Sequence, residues 1–110
     1  MSKYAINQRF YRNVSASTTE TSDYTPANGE KILVIRAGAN CADTPDTNIC
    51  IVWDPGGAQQ EIIMSCYRDV NHEDIAKEYT GDGTRVLRIQ LVNDTAESSY
   101  MGGYVQAEIL

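Results

Sequence analysis

Apolar and polar residues alternate with a period of two along much of the chain, which is the pattern of half-buried β-strands. The alternation is clearest in residues 84–92, where Leu87, Ile89 and Leu91 share one face and the polar residues between them share the other. Residues 31–37 and 48–54 are apolar on both faces, as central strands are. Further strands are predicted at residues 6–14, 60–67 and 104–110.

Polar segments separate these strands. The sequence Asp-Pro-Gly-Gly at residues 54–57 predicts a hairpin connection over residues 54–58. Residues 15–29 are rich in Ser and Thr and are expected to form a loop or an extended arm. Residues 72–79 fit either a short helix or a strand. The strand is favoured because the glycine-rich turn that follows would then close a hairpin.

These elements predict an all-β fold, since no long helical pattern is present. We expect residues 1–110 to form a single domain, either an antiparallel β-sandwich of jelly-roll type or a small barrel, with about six to eight strands. The predicted core consists of Leu33, Ile35, Ile51, Trp53, Ile62, Met64, Leu87, Ile89, Leu91 and Val105.

The net charge of −6 argues against two classes of binding partner, nucleic acids and anionic membranes. A nucleic-acid binder needs a basic face, and so does a protein that binds anionic membranes, so we expect neither partner. The start of the chain has no apolar signal region, which predicts synthesis in a cytoplasm. Cys41, Cys50 and Cys66 match no zinc spacing and are expected to be reduced thiols, although a bridge between Cys41 and Cys50 is left open.

The segment Gly81-Asp82-Gly83 is the most suggestive short motif. It lacks the lysine and the following helix of a phosphate-binding loop, and its surroundings lack the ligand spacing of a calcium loop. We therefore predict a tight hairpin turn in which Gly81 or Gly83 has a positive φ.

Catalytic candidates are few. His72 is the single histidine, it stands among polar residues, and no nucleophile elbow is present. We expect no enzyme activity, no cofactor and no metal site. A divalent ion held between two acidic loops stays open as an alternative; their carboxylates are Asp43, Asp46, Asp69, Glu73 and Asp74.

Tyrosine is abundant, with seven residues, and many lie near predicted strand ends. Its large apolar body and polar tip suit interfaces with proteins or sugars. The segment at residues 98–104 adds an adaptable methionine and two glycines that would let another backbone approach. The candidate interface residues are Tyr11, Tyr24, Tyr100, Met101, Gly102, Gly103 and Tyr104.

Residues 79–109, with a Gly-Asp-Gly turn, a Leu/Ile strand ending in Asn and a glycine-flanked aromatic strand, resemble the C-terminal half of small all-β structural proteins of tailed bacteriophages. Residues 10–38 are similar to the opening of those proteins. The resemblance implies a virion protein without a catalytic centre, located on the head as a decoration protein or on the tail.

Two functions from different classes follow. The first is a virion structural protein that contacts other virion proteins and copies of itself, as a closed homo-oligomer such as a trimer. Its predicted outer strands, residues 6–14 and 104–110, carry no lysine or proline that would prevent pairing with another chain. The alternative is a carbohydrate-binding sandwich, with or without calcium, or a component of host adhesion.

Overall fold

The computed structural model describes residues 5–40 and 46–110, which form nine strands and no helix. This part of the chain therefore holds no helix that could cross a membrane. The strands are β1 (Ile6–Val14), β2 (Thr18–Tyr24), β3 (Lys31–Asn40), β4 (Thr47–Trp53), β5 (Glu61–Cys66), β6 (Val70–His72), β7 (Lys77–Thr80), β8 (Leu87–Asn93) and β9 (Ser99–Ile109).

The strands form two antiparallel sheets that pack face to face, so the predicted all-β sandwich is confirmed. The five-stranded sheet has the order β1-β9-β3-β6, and β7 also pairs with β3. The four-stranded sheet has the order β2-β8-β4-β5. Because β9 lies between β1 and β3, the prediction that residues 104–110 form an outer strand is wrong, whereas β1 is an edge strand as predicted.

The core lies between the two sheets and follows the predicted alternation in β8, where Leu87, Ile89 and Leu91 are fully buried. Trp53 of β4 is also buried, and its ring stacks on Tyr79 of β7 with centroids 5.0 Å apart. This contact connects the two sheets at one end of the sandwich. Predicted core positions that are confirmed also include Ile51, Met64 and Val105.

At two β-bulges, the prediction of which residues are buried in the core is wrong. The register of β3 against β9 shifts between Val34 and Arg36, so Ile32 and Val34 are buried in place of Leu33 and Ile35. A bulge inserts an extra residue into one strand and reverses the alternation beyond it.

The second bulge lies in β5. Ile51 pairs with Met64 but Val52 pairs with Ile62, which leaves Ile63 as the extra residue. Met64 is buried, while Ile62 is 57% exposed and does not belong to the core.

The predicted Ser/Thr-rich arm contains a strand. Residues Thr18–Tyr24 form β2, which pairs with β8 along its whole length. Thr is β-branched and favours strands, and the polar composition fits an edge strand with one solvated face. Asp23 accepts two hydrogen bonds from Arg88, at 2.8 and 3.0 Å, which attach β2 to its neighbour.

Other local predictions are confirmed. Residues 72–79 contain strand rather than helix, since β7 begins at Lys77. β4 and β5 form a hairpin through the predicted turn, in which Gly56 has a φ of +76°. Cys50 lies in β4, and burial raises the pKa of its thiol. The Cys66 thiol donates a hydrogen bond to the Arg68 carbonyl at 3.4 Å. Cys41 lies outside the described residues, as do 42–45.

The chain bends at the Gly-Asp-Gly segment, where Gly83 has the predicted positive φ, +87°. The Asp82 carboxylate accepts hydrogen bonds from the backbone N–H of Arg85 at 2.7 Å and of Thr84 at 2.8 Å. The predicted hairpin is wrong, because β7 pairs with β3 in one sheet and β8 lies in the other. The turn is therefore a crossover between sheets.

Replacing Asp82 by alanine should lower the melting temperature at pH 7. The hydrogen bonds from Arg85 and Thr84 lower the pKa of Asp82 from 3.8 to about 2. A carboxylate with a lowered pKa stabilises the folded state at pH above 3.8, and this contribution is lost as the pH falls through 3.8 to about 2. Thermal denaturation of both proteins at pH 7 and pH 2 should show a smaller difference at pH 2. An equal difference at the two pH values would contradict this role.

Candidate functional site

The outer face of the five-stranded sheet collects the aromatic candidates. Along β9, Met101, Gly103, Val105 and Ala107 point into the core, so the residues that alternate with them face outward. Tyr104 is one of these, and Tyr11 of β1 lies on the same face. The sheet register therefore brings two of the predicted interface residues together from different ends of the sequence.

Tyr11 packs over a glycine of the neighbouring strand. It is paired with Gly102 in the register of β1 and β9. A Cβ at position 102 would collide with the Tyr11 ring, so only glycine lets the ring lie against the sheet. The glycine thus accommodates a side chain of its own chain rather than the backbone of another molecule.

Tyr104 repeats this arrangement one strand further. It is paired with Gly38 of β3, and a Cβ there would collide with the Tyr104 ring and hydroxyl. The Tyr104 hydroxyl donates a hydrogen bond to Oδ1 of Asn71 on β6. The guanidinium of Arg9 lies 5.8 Å from the ring centroid. Burial raises the pKa of the Tyr104 hydroxyl.

A shallow groove runs beside these two rings, with a volume of ≈370 Å³. We call it the Tyr11–Tyr104 groove. Its lining consists of Tyr11, Ala39, Asn40, Asp69, Val70, Asn71 and Tyr104. Two aromatic rings, two neutral amides and one carboxylate thus converge at one place, and such a combination can bind and orient a polar organic ligand.

The other predicted interface residues lie elsewhere. Tyr100 is on the outer face and is 66% exposed. Tyr24 ends β2 in the other sheet, packs against the core, and its hydroxyl is 3.1 Å from Oε1 of Glu30. The Met101 side chain is fully buried, and Gly103 faces Ile49 and Ile89 in the interior.

The buried residues cannot offer a contact surface in this fold. The sequence interpretation of residues 98–104 as one continuous surface segment is thereby corrected for Met101, Gly102 and Gly103. Successive strand residues point to opposite faces, so a seven-residue strand segment cannot present all its side chains to one partner.

The edge strand β1 is the second feature of this region. All nine of its residues pair with β9 in an unbroken register. In an antiparallel edge strand, every second residue directs its N–H and C=O away from the sheet. No strand of the described chain pairs with this outer side of β1. Arg12 lies at this edge, and its guanidinium donates to the Tyr11 carbonyl at 3.0 Å.

Sequence reasoning missed Asn40, Asn71 and Arg9. A signal was present in the two strands that carry an outward-facing glycine, Gly38 and Gly102. Glycine in a strand interior marks a place where another group approaches closely. Without the strand register, however, the sequence does not say which tyrosine covers which glycine.

The acidic loops form no metal site in the described part of the chain. No group of three or more His, Cys, Asp or Glu side chains there is placed to hold an ion. Glu73 is instead 3.6 Å from Arg36, and His72 is exposed at the end of β6. Asp43, one of the candidate ligands, lies outside the described residues.

Comparison with known proteins identifies no family. No protein-family model and no curated protein matches the sequence. A solved structure, the mitogen YPM from Yersinia pseudotuberculosis, aligns with a TM-score of 0.55 and 12% identity over 92% of this chain and 85% of that chain. The Drosophila NLP core, described with pentamer formation and histone binding, aligns with a TM-score of 0.45 and 11% identity over 92% and 96% of the two chains. Neither is a phage protein, and the similarity to YPM shows the fold alone.

Proposed function

We propose that the protein is a non-enzymatic virion structural protein of a tailed bacteriophage, most closely a head decoration or capsid-stabilising protein. It is made in the host cytoplasm and acts in the virion. It works through multivalent contacts with copies of itself and with other virion proteins, so that weak single contacts add up through copy number.

The observation that carries this proposal is the unprotected edge of β1. Natural sheets block their edges with lysine, proline, bulges or a covering segment, because exposed edges pair with other chains. β1 has nine residues, no bulge, no lysine and no proline. Pairing with another chain would satisfy its outward main-chain groups, and such added strands gain affinity from backbone hydrogen bonds.

The side chains of β1 are compatible with pairing between two copies. In an antiparallel contact centred on Phe10, Arg9 of one copy stands opposite Tyr11 of the other, and Arg12 stands opposite Gln8. No two arginines then face each other, which avoids the cost of like charges at directly opposed positions. A twofold contact gives a closed dimer, and a contact between β1 and a different surface gives a ring such as a trimer.

Lysines on the edge should therefore abolish self-association. Asn7 and Asn13 are exposed on β1, so the double variant N7K/N13K should fold normally and add the charges that block edge pairing. We expect the wild-type chain to sediment as a discrete oligomer in analytical ultracentrifugation and the variant as a monomer. The variant N28K/A58K changes the net charge equally at exposed loop positions and should remain oligomeric.

A monomeric wild type, or oligomers that persist in N7K/N13K, would contradict the role of the β1 edge. The virion location is tested separately by cosedimentation of the chain with phage heads and with tails from its source. Binding to heads supports a decoration protein and binding to tails a tail component. Binding to neither would contradict the virion proposal.

A further inference from the structure

We propose that the Tyr11–Tyr104 groove binds a neutral saccharide, a unit of one or two pyranose rings. This goes beyond the virion role and does not rest on it, because the groove is formed within one chain and only Tyr11 of its seven lining residues lies on the edge strand β1. The sequence left a carbohydrate-binding function open as an alternative. The groove would be the site of that function, and this site needs no calcium.

The aromatic side of the groove suits a sugar ring. Tyr11 and Tyr104 rest on Gly102 and Gly38, so each ring turns one face to the sheet and is only half-buried. A pyranose has an apolar face of C–H groups, which packs on aromatic rings, and hydroxyls at its rim, which need polar partners. Tyrosine offers both in one side chain.

The polar side of the groove suits hydroxyls. Asn40 and Asn71 carry amides that both donate and accept hydrogen bonds, as saccharide hydroxyls do. Oδ1 of Asn71 already accepts from the Tyr104 hydroxyl, which fixes the amide and leaves its Nδ2 hydrogens as donors. Within residues 5–40 and 46–110, no hydrogen-bond partner holds that nitrogen or the Asn40 side chain.

Charge and polarity disfavour anionic and apolar ligands in this groove. Among the described residues, Asp69 is the one ionic side chain in the lining, and the net charge of −6 of the whole chain disfavours anionic ligands. Two amides and a carboxylate among seven lining residues make the groove too polar for an apolar ligand. Its volume of ≈370 Å³ is at the lower end of small-ligand sites, which span roughly 300–1,000 Å³.

The test is an NMR titration of the ¹⁵N-labelled full chain with the methyl glycosides of glucose, galactose, mannose and N-acetylglucosamine. At least one should give saturable shifts at the side-chain amides of Asn40 and Asn71 and at the backbone amides of Gly38 and Gly102. These glycines lie under the two rings, so they report ligand on the groove. Repeating the titration with N7K/N13K separates this binding from self-association, and the shifts should persist.

Variants then assign the contacts. Tyr11→Ala should weaken the affinity at least tenfold, and Tyr11→Phe should weaken it by a smaller factor since the ring remains. If Tyr11→Ala does not fold, Asn71→Ala serves in its place, because it leaves both rings intact and removes the amide. Asn48→Ala changes a half-exposed asparagine on the opposite sheet and should bind like the wild type.

Three results would overturn the proposal. The first is that none of the four glycosides causes saturable shifts. The second is that the shifts survive both Tyr11→Ala and Asn71→Ala. The third is that the groove amides respond to short acidic or basic peptides more strongly than to any glycoside, which would make it a protein-docking surface.

Discussion

Replacing Trp53 by alanine should lower the free energy of unfolding by about 3–5 kcal/mol, the usual cost of truncating a buried Trp or Phe. Trp53 is 1% exposed, and its ring stacks on Tyr79 at 5.0 Å. The two residues belong to different sheets, so the variant loses a contact between sheets and leaves a cavity at the end of the sandwich. Aromatic pairs contribute roughly 0.5–1.5 kcal/mol beyond the area that they bury.

Urea denaturation of the wild type and the variant measures this difference. Ile62→Ala is the matched comparison, since it also truncates a large apolar residue that the sequence placed in the core. Ile62 is 57% exposed, so its replacement should change the free energy of unfolding by about 0.5 kcal/mol or less. Similar losses in both variants would show that the β5 bulge is wrongly placed.

The burial of residues in β8 can be predicted from the sequence, whereas the exposure of Ile62 cannot. In β8 the alternation is unbroken, and Leu87, Ile89 and Leu91 are buried as predicted. In β3 and β5 a single extra residue reverses the faces. At the β3 bulge, the Ile35 carbonyl accepts a hydrogen bond from the Ile75 backbone N–H. That partner is forty positions away along the chain, so local alternation contains no trace of the bulge.

The order of the strands in the sheets cannot be predicted from the sequence for a related reason. The Gly-Asp-Gly turn was recognised from its residues, yet a tight turn is compatible both with a hairpin and with a crossover between sheets. The outcome depends on where β7 finds its partner, and it pairs with β3. The same dependence explains β9, whose alternating pattern predicted a strand but whose central position follows from pairing on both sides.

The candidate site has one part that the sequence predicts and one part that only strand pairing determines. Its tyrosines were recognised because their residue type suits interfaces, whereas the groove exists because two strand registers place each ring on a glycine. The pairs involve positions far apart in sequence, such as Tyr11 with Gly102. A single sequence contains both members of each pair but not the register that joins them.

The largest effect of a polar substitution is expected at Asn93. This residue ends β8 and is fully buried. Its Nδ2 donates to the Val14 carbonyl at 2.9 Å and to the Glu97 carbonyl at 2.8 Å, and its Oδ1 accepts from the Thr95 backbone N–H at 2.9 Å. One side chain thus connects the end of β1 to the turn between β8 and β9.

Asn93→Ala should lower the free energy of unfolding by about 2–4 kcal/mol, because each buried group left without a partner costs roughly 1–3 kcal/mol. Asn48→Ala is the control, since Asn48 lies on the adjacent strand and is half-exposed. Its Nδ2 donates to the exposed Ser65 hydroxyl at 3.0 Å and to the Cys66 carbonyl at 3.3 Å. Water can replace Asn48 at these acceptors, so the control should lose about 1 kcal/mol or less. Urea denaturation measures both values.

Amide hydrogen exchange of Asn93→Ala should also be faster at the end of β1 and in residues 94–98, because the connection between them is gone. Unchanged stability with slow exchange in both segments would show that Asn93 does not hold the turn to β1.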